Sequence, residues 1–239
     1  MSALKVRIKF SKHGAMKFIG HLDMMRYFQK AMRRAEIDIA FSEGFSPHMI
    51  MSFALPLGVG VTSDGEYVDI ELRTPISSAQ AVKRLNAVMA EGVTVTSFRQ
   101  IEEGKAGKAM SLVAAADYTV RFREGKMPEE GWQEKFIAFL AQEQILITKK
   151  TKKTEKEIDI RPYIYAASVQ DDAIHLTVAA GSATNIKPDL VLEAFASYLN
   201  WKMSDFALLI NRDELYTNVG AETERKLVSL EDLGEEIEL

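Results

Sequence analysis

The chain has 239 residues, of which 47% are apolar and 27% charged, the balance of a soluble globular protein with room for one large domain or two of ordinary size. A formal charge of -4 excludes a histone-like basic protein, so nucleic-acid binding would depend on a local patch. The absence of cysteine excludes disulfides, cysteine-type structural zinc, Cys-ligated iron–sulfur clusters and thiol catalysis, and it fits a reducing cytoplasm.

Met1 to Gly14 alternates charged with apolar residues and never forms the apolar core of a signal peptide. No later window reaches the roughly 18 to 20 apolar residues a membrane helix needs. A cytoplasmic protein with no membrane partner is expected.

Leu4, Val6, Ile8 and Phe10 alternate with Lys5, Arg7 and Lys9, which predicts a strand with one face on a core and a basic opposite face. From His21 to Ala35 the period lengthens. Met24, Met25, Phe28, Ala31, Met32 and Ala35 share one side of a helix, and Asp23, Arg26, Lys30 and Arg33 share the other. The turn Ser42–Pro47 precedes a strand over Met49–Leu57, with Ser46 held extended by the proline that follows it. A strand over Glu66–Leu72, a helix over Ser77–Ala90 with a serine N-cap, and a strand over Val93–Ile101 follow.

The order strand, helix, strand, strand, helix, strand is that of the split βαβ or ferredoxin-like unit, with both helices on one face of an antiparallel sheet and the other face open. After a link over Glu102–Ala109 the order recurs. Strands are predicted at Asp117–Phe122, Ile145–Lys149, Glu157–Val169, Ala173–Ala179 and Phe206–Asn211, and helices at Glu129–Gln142 and Pro188–Asn200. The expected fold is α+β, with two ferredoxin-like halves over 1–105 and 113–220 and an extra or split strand in the second. Residues 221–239, rich in acids, are expected to form a frayed acidic tail or a short helix.

Three histidines and several cations are candidates for chemistry. His21 opens the first predicted helix beside the loop Ser11–Gly20, where it could act as general acid or base or pack its ring in the core. Asp23 suits the helix N-terminal dipole. His48 follows a turn stiffened by Gly44 and Pro47, and ordered loops often carry functional polar groups. His13, His21 and His48 are separated by eight and twenty-seven residues, which matches no metal-ligand pattern, and no metal or cofactor is expected.

Arg7, Lys9, Lys12, Lys17, Arg26, Lys30, Arg33 and Arg34 outnumber the acids of the first fifty residues and lie among Phe18, Tyr27, Phe41 and Phe45. Such a set can hold a phosphate backbone and stack bases, or it can be a solvated helix face with ion pairs such as Asp23 with Arg26. A second basic run, Lys149, Lys150, Lys152 and Lys153, falls between two predicted strands, where a phosphate partner or simple mobility would relieve the repulsion. The amides ahead of Pro188 could hold an anion, although the segment 181–188 is not a P-loop.

The stretch from Arg7 to Leu72 includes His21-Leu22-Asp23, Arg26, Arg33-Arg34-Ala35, Ser42-Glu43-Gly44-Phe45-Ser46-Pro47-His48, Leu55-Pro56-Leu57-Gly58 and Glu66-Tyr67-Val68-Asp69. It resembles the radical-SAM-linked family of bacterial proteins, with Gly20 standing where the family pattern has a serine cap. The later strings Lys149–Lys153, Ile158-Asp159-Ile160-Arg161-Pro162, Asn185-Ile186-Lys187-Pro188 and Arg212-Asp213-Glu214-Leu215 are similar to its other motifs. The resemblance implies a partner radical-SAM protein and RNA-processing or ribosome-related surroundings. Without cysteine this chain holds no radical-SAM cluster, and that chemistry would belong to the partner.

The expected function is a non-catalytic RNA-binding or substrate-presenting accessory beside a radical-SAM enzyme. Lys12, Lys17, Arg26, Lys30, Arg33, Arg34, Lys149, Lys150, Lys152, Lys153 and Arg161 would face phosphates, and Phe45 would stack. Two alternatives come from other classes. One is a metal-independent endoribonuclease resembling CRISPR repeat-processing nucleases, with His21 and His48 catalytic. The other is a protein-interaction scaffold.

Overall fold

The structure is a computed structural model that describes residues 4–102, 108–150, 155–221 and 224–239. The chain is an α+β protein that divides into two compact units, one of residues up to Ala115 together with Arg212–Leu239, the other Ala116–Asn211.

In the first unit the chain runs β1 (Leu4–Lys12), a 3-10 turn (Gly14–Phe18), α1 (His21–Arg34), β2 (Met51–Phe53), β3 (Thr62–Leu72), α2 (Ser78–Asn86), β4 (Val93–Ile101) and the short α3 (Ala109–Leu112). β1 lies between β3 and β4, and β2 pairs with β3, all antiparallel. The spatial order β4-β1-β3-β2 is the ferredoxin-like arrangement expected from the element order.

The alternation in β1 sends Val6, Ile8 and Phe10 into a core with Val68, Ile70 and Leu72 of β3 and Val93, Val95 and Phe98 of β4. In β4 the apolar positions switch parity between Val95 and Phe98. The β1–β4 register slips between Lys9 and Phe10 at the same place, so one extra residue in β4 re-aims its side chains. α1 lays Met24, Phe28, Ala31 and Met32 on this core, a spacing that puts all four on one helix face. Phe10, Phe28 and Phe53 meet with ring centroids 4.6 to 6.0 Å apart.

In the second unit the chain runs β5 (Ala115–Phe122), α4 (Trp132–Leu140), the hairpin β6 (Leu146–Lys150) and β7 (Glu155–Asp159), a 3-10 turn (Arg161–Tyr163), β8 (Ile164–Gln170), β9 (Ala173–Ala179) and α5 (Pro188–Tyr198). β10 (Leu208–Asn218) begins here and crosses into the first unit at Arg212. The strand order β10-β5-β9-β8 repeats the ferredoxin-like pattern, while β6 and β7 form a separate two-stranded sheet. The strand expected over Glu157–Val169 is broken at Ile160–Tyr163, where Pro162 lacks a ladder donor and the chain makes a 3-10 turn. Phe136, Phe139 and Phe195 bind α4 to α5, with the Phe136 and Phe195 rings edge to face at 5.0 Å.

The acidic stretch expected as a frayed tail or a short helix forms two short strands around one 3-10 turn. β11 (Leu227–Ser229) pairs with β10, a 3-10 turn spans Leu230–Leu233, and β12 (Gly234–Glu236) pairs with β4. Leu230 is fully buried. Ile237 is also buried, and its backbone exchanges hydrogen bonds with Ser78, whose Oγ also donates to Phe98 O.

The sheet face opposite the helices is therefore not open in the first unit. Arg7 pairs with Asp69 through two bonds of 2.8 and 3.0 Å and donates to Leu230 O, and the Ala109 amide donates to Asp69. Lys9 donates to Glu214 at 2.7 Å and to Glu231 at 2.9 Å. Burial works to lower the Lys9 pKa, but the bonds and charges of the two glutamates outweigh it and raise the value. Burial and then the Glu214 carboxylate push the Tyr67 phenol far up.

Candidate nucleic-acid interface

The loop from β1 to α1 carries most of the residues singled out in the sequence. Lys12 ends β1 with its side chain turned inward, 3% exposed, and its Nζ donates to Ile19 O at 2.7 Å. Burial lowers its pKa from the ordinary lysine value, the Glu66 carboxylate works against that, and Arg212 adds to the depression. Lys12 is thus a support for the loop and not a surface contact for phosphate. It lines a small cavity with His21, Phe10, Met24, Phe53 and Glu66.

Glu66 is held by Arg212, whose Nε and Nη2 donate to its two oxygens at 2.8 and 2.7 Å, while Nη2 also donates to Leu55 O. These buried charges neutralise one another and fix both β10 against β3 and the chain leaving β2. β10 approaches β3 so closely that a Cβ on Gly65 would lie 2.6 Å from Asp213 O and from Glu214 Cα.

His21 is the first residue of α1, half-buried, with its ring edge to face against Phe53 at 5.4 Å. His48 is exposed in the 42–48 turn, where Nδ1 lies 2.8 Å from Ser42 Oγ and its amide donates to the same oxygen. The cavity that His21 lines does not include His48. The two imidazoles of the endoribonuclease reading are held by different neighbours, and His48 serves to close its turn. His13 pairs with Asp64 at 2.7 Å. Among the described residues no group of three or more His, Cys, Asp or Glu gathers as a metal site.

α1 presents the other side of its amphipathic pattern to solvent. Leu22, Asp23, Arg26, Lys30, Arg33 and Arg34 are all exposed. Arg26 reaches Asp23 at 3.1 Å across one helical turn, a solvated pair that holds the guanidinium only weakly. Gly20 supplies no side-chain cap, so Asp23 is the acid of the first turn, and Arg33 and Arg34 complement the dipole in the last. Lys30, Arg33 and Arg34 extend the stripe, which is basic over two turns.

Lys83 and Arg84 in the last turn of α2 are exposed as well. α1 and α2 pack on the same core, so their cations belong to one helical layer. The apolar positions that identify α2 do not single out this pair. The same wheel, read for its polar side, would have found them.

Other predicted contacts fall elsewhere. Lys17 lies with Nζ 5.2 Å from the centre of the Phe18 ring. Phe45 is fully exposed at the tip of the 42–48 turn. Arg161 is half-buried, and its guanidinium donates to Leu140 O and Ile164 O, tying the 3-10 turn to α4. Arg7 and Lys9 are consumed by internal carboxylates, as described above. Lys149 and Lys150 lie in β6, and Lys152 and Lys153 fall outside the described residues.

Among the described residues no helix is long and apolar enough to cross a membrane. The family model described as "Uncharacterized protein conserved in bacteria (DUF2344)" matches residues 5–188. No curated protein matches the chain. Among solved structures, a chain of a Cbf5-Nop10-Gar1 complex is similar at 12% identity and a TM-score of 0.45, over 88% of this chain and 48% of that one. The present chain thus spans about half the length of that relative.

Proposed function

The chain belongs to the DUF2344 family of proteins conserved in bacteria, and from that premise and the geometry of α1 we propose that it is a non-catalytic RNA-binding accessory that presents RNA to a radical-SAM partner. The exposed run Arg26, Lys30, Arg33 and Arg34 on one helix carries this reading. Four cations on a rigid helix, with one acid among them, form a local positive field in a chain whose formal charge is -4. Lys83 and Arg84, exposed in the last turn of α2, add two further cations to the helical layer. Phosphates there would release their counterions, giving salt-dependent affinity with little sequence preference. The radical-SAM partnership comes from the resemblance of the sequence motifs, and the iron–sulfur chemistry belongs to that partner because this chain has no cysteine.

The double variant Arg26→Glu with Arg33→Glu is expected to bind RNA more weakly and to flatten the dependence of log affinity on log salt by about one unit for each lost phosphate contact. Fluorescence anisotropy with a labelled RNA over a salt series measures both. Unaltered affinity and slope would remove α1 as the binding surface.

A further inference from the structure

Two large apolar side chains stand exposed where the basic stripe of α1 begins. Phe18 is 63% and Leu22 68% exposed. The backbone on either side of Phe18 is held by hydrogen bonds. Ile19 N donates to Met16 O at 3.0 Å, Gly60 N donates to Lys17 O at 2.8 Å, and the buried Lys12 ammonium holds Ile19 O. An exposed aromatic ring with a lysine beside it, four residues ahead of Leu22 and the row of cations that follows, combines the two parts of a site for unpaired nucleotides.

Leu22, Arg26, Lys30 and Arg33 follow at spacings of four, four and three residues, which keeps them along one side of α1 over about 16 Å. The row starts apolar and continues basic. A duplex would use the basic part alone, because its base faces are covered by their neighbours and offer nothing to Phe18. A single strand uses both. Its bases have free faces for the ring, and its phosphates reach the guanidinium groups that follow.

We propose that this row binds single-stranded RNA, with an unpaired base stacked on Phe18 against Leu22 and the adjoining phosphates on Arg26, Lys30 and Arg33. The inference rests on the RNA-binding reading of α1 and specifies the form of RNA it takes. Lys17, 5.2 Å from the centre of the Phe18 ring, adds positive charge beside the stacked base. Every base has a π-face, so the contact is tolerant of sequence.

The test compares a labelled single-stranded RNA with the blunt duplex of the same sequence, by anisotropy over a salt series on the full chain. The wild type is expected to prefer the single strand. Phe18→Ala should weaken single-strand binding roughly tenfold with an unaltered salt slope, and Phe18→Trp should retain it. Arg26→Glu with Arg33→Glu should weaken binding to both RNAs and flatten the slope. Equal affinity for the two RNAs, with Phe18→Ala behaving as wild type, would overturn the single-strand assignment while the loss on charge reversal still upheld α1. If neither RNA binds the wild type, both readings fall. Phe18 is mostly exposed, so its substitution does not threaten the core.

Discussion

Glu231 shows how a single carboxylate closes the polar face of the first unit. It accepts from Lys9 at 2.9 Å, and Arg99 lies 3.7 Å away. Burial works to raise its pKa, but the Lys9 bond and charge, a bond from Ser97 and the Arg99 charge prevail and lower it. A carboxyl lowered on folding stabilises the protein above its unfolded value, and that contribution disappears as pH falls through the folded value. The advantage of wild type over Glu231→Gln is therefore expected to be full above the ordinary carboxyl value of 4.5 and to vanish in more acid solution. Urea midpoints measured against pH check this, and a difference that stays constant into strong acid would contradict it. Arg7 and Lys9 looked like a basic outer face because period-two alternation puts them opposite the core. Their partners Asp69, Glu214 and Glu231 lie 62, 205 and 222 positions away, beyond the reach of any local pattern. Arg26, Arg33 and Arg34 were legible because helical spacing alone decides which side of α1 they occupy.

The elements that local periodicity could name are those whose burial comes from their own pattern. β1, β3, β4 and α1 are of this kind, and each forms close to its expected place. β2 is shorter than expected, since Met51–Phe53 forms the ladder with β3 and the chain leaves it ahead of Pro56, after a last bond from Ala54 N to Tyr67 O at 3.0 Å. Residues 227–237 are the opposite case. Their composition reads as a solvated tail, yet Leu230 is fully buried with its carbonyl accepting from Arg7, and Arg99 lies 3.6 to 3.7 Å from the carboxylates of Glu231, Asp232 and Glu236. A buried leucine in a tail that merely frayed would contribute nothing. Here Leu230→Ala is expected to cost about 2–5 kcal/mol, while the exposed Leu22→Ala stays within about 0.5 kcal/mol. Chemical denaturation of the two variants distinguishes a docked segment from a loose one, and equal stabilities would mean that the segment is not bound in solution.

The duplication was visible at the scale of the whole chain from element order alone, and both strand orders follow it. What the order did not show is that Arg212–Leu239 returns to the first unit, since β10 continues past the position where a second half would end. The second unit is continuous and the first is not. A polypeptide of residues 116–211 is accordingly expected to unfold cooperatively by circular dichroism. A polypeptide of residues 1–115, which lacks Arg212, Glu214 and Glu231 as partners for Glu66 and Lys9, is expected not to. Cooperative unfolding of the 1–115 fragment would show that the returning segment is dispensable. The same discontinuity sets a timetable during synthesis. Residues 116–211 can fold as soon as they leave the ribosome, whereas Lys9 and Glu66 wait for Glu214 and Arg212 until about 110 residues beyond position 102 have been added, an interval of several seconds or more at the usual rate of translation.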